Sequence, residues 1–128
     1  MFGPKMNIKI LLIDDELVIL NMLTRMLERK GYETVAFQDP EEALNCLKSD
    51  SINLIICDLK MPEMDGIEVI FRAKRARPKV PIILITGFAS IPTAVNAIQL
   101  GAYDYVRKPF DMAKICSVVE KALASTAN

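Results

Sequence analysis

Five short apolar segments alternate along the chain with five segments that have the spacing of amphipathic helices. The apolar segments lie at residues 8–13, 32–37, 52–57, 81–85 and 103–106, and the helical segments lie at 16–30, 41–49, 66–77, 91–100 and 112–124. A strand–helix repeat with short connections forms a parallel sheet that carries helices on both faces and has right-handed crossovers. The alternation therefore predicts a doubly wound α/β fold.

The apolar content of each strand predicts its position in the sheet. The first, third and fourth strands are almost continuously apolar, as expected for strands that are covered on both faces. The second strand contains Glu33 and Thr34, and the short fifth strand contains Asp104, so both suit the edges of the sheet. A strand order of 2-1-3-4-5 meets these requirements.

The length of the chain, 128 residues, is that of one domain. We place this domain at residues 8–124, after a flexible lead-in at 1–7 and before a short tail at 125–128. Asp39 and Asp65 are predicted to cap the second and third helices, and Gly31 and Gly101 to end the first and fourth.

Charge and cysteine content exclude several classes of function. Sixteen Lys and Arg balance sixteen Asp and Glu, so the net charge does not favour nucleic acid or a membrane surface. The basic run at 72–79 is interpreted as a solvated helix end. The apolar runs are too short to span a membrane, and three cysteines without a C-x-x-C pair fit the cytoplasm.

The chain contains no histidine. This excludes nucleophiles activated by histidine, imidazole general bases and histidine-ligated zinc. Any chemistry must therefore come from carboxylate, hydroxyl and amine groups.

Polar residues stand at the carboxyl ends of four predicted strands. Asp14 and Asp15 follow the first strand, Asp58 the third and Thr86 the fourth, and Lys108 lies just past the fifth. Ligands bind at this edge of an open parallel sheet, and for this strand order the crevice opens between strands one and three. Three converging carboxylates repel one another unless a cation compensates, and oxygen ligands suit Mg²⁺.

Each of these residues also has a simpler interpretation. Asp14 and Asp15 suit a helix N-terminus, Thr86 suits a turn and Lys108 suits a solvated surface. Their coincidence at one sheet edge favours a phosphoryl site instead. In such a site Asp58 could act as a nucleophile, while a hydroxyl and an ammonium group bind the phosphoryl oxygens.

Four motifs, in order along the chain, resemble those of the receiver domain of two-component response regulators. They are IDDE at 13–16, CDLKMPEMDG at 57–66, ITG at 85–87 and GAYDYVRKPF at 101–110. The resemblance implies a single flavodoxin-like (βα)5 domain. It is strongest to receivers that are attached to sigma-54-dependent, NtrC-type transcription activators.

The resemblance also implies roles for individual residues. Asp58 would accept a phosphoryl group from a phosphohistidine. Asp15, Asp58 and the carbonyl of Lys60 would ligate Mg²⁺, and Asp14 would hold a metal-bound water. Thr86 and Lys108 would bind the phosphoryl oxygens, with the Lys108-Pro109 bond in the cis form.

The implied readout is a conformational switch on a surface away from Asp58. Tyr105 would turn inward when Thr86 moves, and the fourth helix, fifth strand and fifth helix would carry the signal to an output domain or partner. Without the resemblance, Tyr105 could equally be an edge-strand aromatic. Lys60 and Phe88, two residues after Asp58 and Thr86, offer no group that orients a water, which predicts slow self-dephosphorylation.

The partners implied are a sensor histidine kinase or a phosphotransfer protein, and the resemblance also allows a homodimer on phosphorylation. The domain would catalyse its own phosphorylation and would not be a turnover enzyme. Two alternatives stay open: a small Mg²⁺-dependent aspartyl-phosphate hydrolase and a phosphorylation-independent interaction module. Lys60 argues against the hydrolase, because such enzymes carry a second Asp there, and the intact site argues against the module.

Overall fold

A five-stranded parallel sheet with helices on both faces forms the domain. The computed structural model describes residues 7–87 and 91–126, with the backbone alone at 91–94. The strands are β1 (Lys9–Ile13), β2 (Glu33–Phe37), β3 (Leu54–Asp58), β4 (Ile82–Thr86) and β5 (Asp104–Arg107). The helices are α1 (Leu17–Arg29), α2 (Pro40–Ser49), α3 (Gly66–Ala76), α4 (Ile91–Gln99) and α5 (Met112–Ser125).

The strand order is β2-β1-β3-β4-β5, and every neighbouring pair is parallel. This confirms the predicted fold and strand order. All five residues of β3 and all five of β4 are buried, whereas most residues of β2 and β5 are at least partly exposed. Burial on both faces explains why the central strands lack the alternation of polar and apolar residues.

Successive residues of each central strand enter two separate hydrophobic cores. Leu11 and Ile13 of β1 pack on the face covered by α2, α3 and Ala97 of α4, and we call this cluster the α2–α3 core. Ile10 and Leu12 pack on the opposite face, covered by α1 and α5, which we call the α1–α5 core. Side chains of a strand point alternately to the two faces, so the sheet separates the two cores.

Strands β3 and β4 each extend one residue further than predicted, and the added residues belong to the candidate site. The sequence placed the ends of β3 and β4 before Asp58 and Thr86, but both residues belong to the strands. The parallel ladder continues through them, since Asp58 pairs with Ile85 and Thr86 with Arg107. Both side chains are therefore fixed by a sheet and not by a loop.

The predicted caps of the helices are confirmed, although several helix ends lie one residue from their predicted positions. The carboxylate of Asp39 accepts from the N–H of Glu41 at 2.9 Å, and that of Asp65 accepts from the N–H of Glu68 at 3.0 Å. Gly31 and Gly101 have φ angles of 96° and 122°. These left-handed conformations favour glycine after a helix.

The basic run at 72–79 is used within the fold. Arg72 forms an ion pair with Glu41 of α2, and Arg77 donates to the carbonyls of Lys48 and Asp50. This agrees with its interpretation as a helix end. No helix in the described ranges is both long enough and apolar enough to cross a bilayer.

Candidate functional site

Three carboxylates converge at the carboxyl ends of the two strands in the middle of the sheet. Asp14 and Asp15 follow β1, Asp58 ends β3, and one oxygen from each lies within 4.8 Å of the others. Asp14 and Asp58 are only 1% and 6% exposed. The convergence expected from the strand order is therefore present in the structure.

Backbone hydrogen bonds hold Asp14 in place. Its N–H donates to the carbonyl of Phe37 at 3.2 Å, and its Oδ1 accepts from the N–H of Glu16 at 2.8 Å. Its other oxygen, Oδ2, is buried and has no hydrogen-bond partner among the residues that the structure describes. A buried carboxylate oxygen without a donor is costly unless another group compensates its charge.

Lys108 reaches the cluster from the loop after β5. Its Nζ lies 3.4 Å from Oδ2 of Asp14, 3.7 Å from Oδ2 of Asp58 and 3.2 Å from Oε1 of Glu16. Its backbone N–H donates to the carbonyl of Thr86 at 2.8 Å, and the Lys108-Pro109 bond is cis, as the resemblance implies. The contact with Glu16 was not predicted from the sequence.

Burial and charge raise the pKa of Asp58 from its ordinary value of 3.8 to about 6. Loss of solvation is the main cause, and the charge of Asp14 adds to it. The ammonium group of Lys108 and a hydrogen bond from the backbone N–H of Lys60 oppose the increase. At neutral pH Asp58 is mostly ionised, but its charge lies in an unfavourable environment.

The other two buried groups respond in the same way. Burial raises the pKa of Asp14, although the N–H of Glu16 and Lys108 partly offset the effect. Burial would lower the pKa of Lys108, but the charges of Asp14 and Asp58 outweigh it, so that pKa is raised. One lysine thus compensates part of the charge of the acidic cluster.

The donor set fits a hard divalent cation. Carboxylate oxygens within 4.8 Å of one another, one of them buried without a donor, match the all-oxygen coordination that Mg²⁺ prefers. The predicted backbone ligand is the carbonyl of Lys60, two residues after the end of β3. The N–H of Lys60 donates a hydrogen bond to Asp58. The backbone of Lys60 therefore borders the cluster.

A cavity of about 250 Å³ opens beside the cluster. It is lined by Asp15, Glu16, Asp58, Lys60, Thr86, Gly87 and Lys108. Thr86 is 3% exposed at the end of β4. Gly87 has no side chain and therefore does not narrow the cavity. The cavity has room for a group of phosphoryl size next to the carboxylate of Asp58.

Tyr105 lies on β5, outside this cavity. It pairs with Leu84 in the sheet, is half-buried and packs against the α2–α3 core. Thr86 and Arg107 form a pair two residues further along the same two strands. Phe88, which was expected to face the phosphoryl group, lies outside the described residues.

Fold and site together define a class of protein. It is a doubly wound domain with a carboxylate cluster at its strand ends, a lysine beside the cluster and a cavity of phosphoryl size. The chain belongs to the family of the response regulator receiver domain, whose family model matches residues 10–120. Receiver domains are signalling domains and not turnover enzymes. The family predicted from the four motifs is thereby confirmed.

Individual proteins show the same similarity. The chain is 36% identical over 120 residues to the transcriptional regulatory protein ZraR of Escherichia coli K12. The aligned region covers 94% of this chain and 27% of ZraR. The chain thus spans about a quarter of the length of this relative.

Two solved structures have nearly the same backbone. A receiver domain protein from Methanospirillum hungatei has a TM-score of 0.89 at 30% identity, over 93% of this chain and 95% of that one. The beryllofluoride-activated NtrC4 receiver domain dimer also has a TM-score of 0.89, at 33% identity over 93% of this chain and 98% of that one. The similarity to NtrC-type receivers is therefore confirmed as well.

Proposed function

We propose that this domain is a phosphorylation-dependent switch of a two-component system. It accepts a phosphoryl group on Asp58 from the phosphohistidine of a sensor histidine kinase or phosphotransfer protein. The observation that carries the proposal is the position of Asp58 at a cavity of about 250 Å³. One of its oxygens lies within 4.8 Å of oxygens of Asp14 and Asp15, and its Oδ2 lies 3.7 Å from Nζ of Lys108.

The chain supplies the nucleophile for the transfer and two side chains that bind the phosphoryl oxygens. An oxygen of the ionised Asp58 carboxylate attacks phosphorus, and the P–N bond to the donor imidazole breaks. The electron pair of that bond stays on the imidazole nitrogen, which is then protonated by solvent. Lys108 and Thr86 bind the phosphoryl oxygens and so stabilise the charge that the transition state spreads over them.

Asp14, Asp15, Asp58 and the carbonyl of Lys60 are the residues that would hold Mg²⁺. When bound, Mg²⁺ supplies positive charge that offsets the carboxylates and the phosphoryl oxygens. The buried, donorless Oδ2 of Asp14 supports this assignment.

The acceptor can be tested with a small phosphodonor. The domain incubated with Mg²⁺ and acetyl phosphate is expected to gain the mass of one phosphoryl group, because nucleophile and charge partners are all in one chain. Intact-mass spectrometry followed by peptide mapping should place the group on Asp58. Asp58→Asn is expected to gain none, and Asp50→Asn, a surface carboxylate outside the cavity, serves as the matched control. Undiminished labelling of Asp58→Asn would refute the acceptor assignment.

The output surface is proposed to be the face formed by α4, β5 and α5. Large apolar side chains are exposed in its described part and in the loop that joins α4 to β5. Val95 and Ile98 of α4, and Leu100 and Tyr103 of the loop, are 38–49% exposed. Displacement of Thr86 toward the new charge would vacate space for the ring of Tyr105 and would bias a two-state equilibrium. An output domain, a transcriptional partner or a second copy would bind this face.

Backbone NMR tests this relay. Addition of beryllofluoride, a phosphoryl mimic, in the presence of Mg²⁺ is expected to shift signals of β5 and of the α4 segment as well as those at the cavity. The reason is that the change at Thr86 passes to Tyr105 through the β4–β5 pair. Tyr105→Ala should confine the shifts to the cavity. Wild-type shifts that stop at the cavity would contradict a relay through this face.

The remaining expectations are part of the same proposal. A kinase-coupled receiver would act in the cytoplasm, as residues 8–124 of its protein, without direct contact to nucleic acid. Lys60 in place of a general acid continues to argue against the hydrolase alternative, and it supports slow loss of the phosphoryl group.

A further inference from the structure

Lys108 carries one positive charge and lies near the carboxylates of Asp14, Glu16 and Asp58. The closest of these is Glu16, which lies outside the proposed metal site. Nζ of Lys108 donates a hydrogen bond to Oε1 of Glu16 at 3.2 Å. Its distances to Asp14 and Asp58 are longer, at 3.4 Å and 3.7 Å. In the unmodified domain, Glu16 therefore makes the shortest contact with the lysine.

Glu16 is placed to hold or release this lysine. It is the N-cap residue of α1, but its side chain makes no capping hydrogen bond, so the carboxylate is available to Lys108. The side chain lines the cavity and is 59% exposed, so it can turn into solvent at little cost. Asp14 and Asp58 are buried and cannot leave in this way.

A phosphoryl group on Asp58 would change the competition. It adds negative charge and three acceptor oxygens beside the lysine. Each N–H that the ammonium group donates to Glu16 is one that it does not donate to the phosphoryl oxygens, so Glu16 and the phosphoryl group compete for the same side chain.

We propose that Glu16 is a positioning residue that tethers Lys108 at the cavity mouth and opposes the phosphorylated state until the lysine is released. This inference rests on the proposed function, because it assumes a phosphoryl group on Asp58. It assigns regulation to a residue outside the acceptor, the metal ligands and the phosphoryl-binding pair.

The test measures beryllofluoride affinity at saturating Mg²⁺, so that altered metal binding does not contribute. Glu16→Gln removes the tether and is expected to bind beryllofluoride about two- to fivefold more tightly, which is the range for losing a partly exposed ion pair. Glu16→Asp keeps the charge but shortens the side chain, and it should bind as tightly as Glu16→Gln. Glu63→Gln, an exposed acid in the β3–α3 loop, removes the same charge and should leave the affinity unchanged.

A second readout follows Lys108 directly. In ¹³C-lysine-labelled protein without beryllofluoride, both Glu16 variants should shift the Lys108 ε-methylene signal, whereas Glu63→Gln should not. If Glu16→Asp behaves like the wild type, or if Glu63→Gln matches Glu16→Gln, the effect is only one of net charge and the tether is wrong. A wild-type domain that binds no beryllofluoride would instead refute the proposed function.

Discussion

Replacing Asp58 with Asn is expected to raise the thermal midpoint of the metal-free domain by about 5–10 °C at neutral pH. A pKa raised from 3.8 to about 6 means that the ionised carboxylate is disfavoured in the folded state by about 3 kcal/mol. Asn has the same shape and no charge, and it can still accept the hydrogen bond from Lys60. Lys108 keeps Asp14 and Glu16 as partners.

The gain should depend on pH with a definite sign. Because the folded-state pKa lies above the unfolded value, Asp58 costs no stability when it is protonated in both states, well below pH 3.8. The cost grows as pH rises from 3.8 to about 6 and is constant above that. The advantage of Asp58→Asn over the wild type should therefore fall by about half between pH 7 and pH 5.

Calorimetry in EDTA and in Mg²⁺ separates the contributions. Saturating Mg²⁺ should raise the wild-type midpoint, since a ligand that binds the folded state stabilises it, and should raise that of Asp58→Asn much less. Asp50→Asn is the control, because Asp50 pairs with Lys9 at the surface and its pKa is lowered, so no gain is expected. An Asp58→Asn midpoint at or below that of the wild type would show that the cluster is not under repulsion.

Gly66→Ala is expected to destabilise the domain by about 2–3 kcal/mol. A Cβ atom at this position would lie 2.8 Å from Cα of Leu59 and 3.0 Å from the carbonyl oxygen of Asp58. Both are backbone atoms, so neither can move aside by changing a rotamer. The N–H of Gly66 also donates to the carbonyl of Leu59 at 2.6 Å, which holds the start of α3 against the end of β3.

Gly87→Ala is the matched control for that substitution. Among the residues that the structure describes, a Cβ atom there would meet Cδ of Lys108 alone, at 4.0 Å, which is an ordinary contact. Urea unfolding should place Gly87→Ala within about 0.5 kcal/mol of the wild type. Equal stability of the two variants would contradict this prediction. It would mean that the β3–α3 loop shifts to make room for the added Cβ atom.

The strand order and the acid cluster were predictable for the same physical reason. Continuous apolar runs occur where a strand is buried on both faces, and such strands lie in the middle of the sheet. Asp14 and Asp58 each end such a run, and parallel strands bring their carboxyl ends to one edge. Local sequence features therefore determined a contact between residues that are far apart along the chain.

The contact between Glu16 and Lys108 could not be predicted in this way. The two residues are 92 positions apart, and the choice of Lys108 among three carboxylates depends on rotamers and burial. The close approach of Gly66 to Leu59 was missed for a related reason. The sequence indicated a glycine at a helix start, but the contact arises only when the loop folds back onto β3.

The division of the interior into an α2–α3 core and an α1–α5 core has a consequence for how the sequence can diverge. Side chains on opposite faces of the sheet do not touch, so volume changes on one face need no compensating change on the other, and their energetic effects should add. Residues of the α2–α3 core can therefore be substituted largely independently of residues of the α1–α5 core.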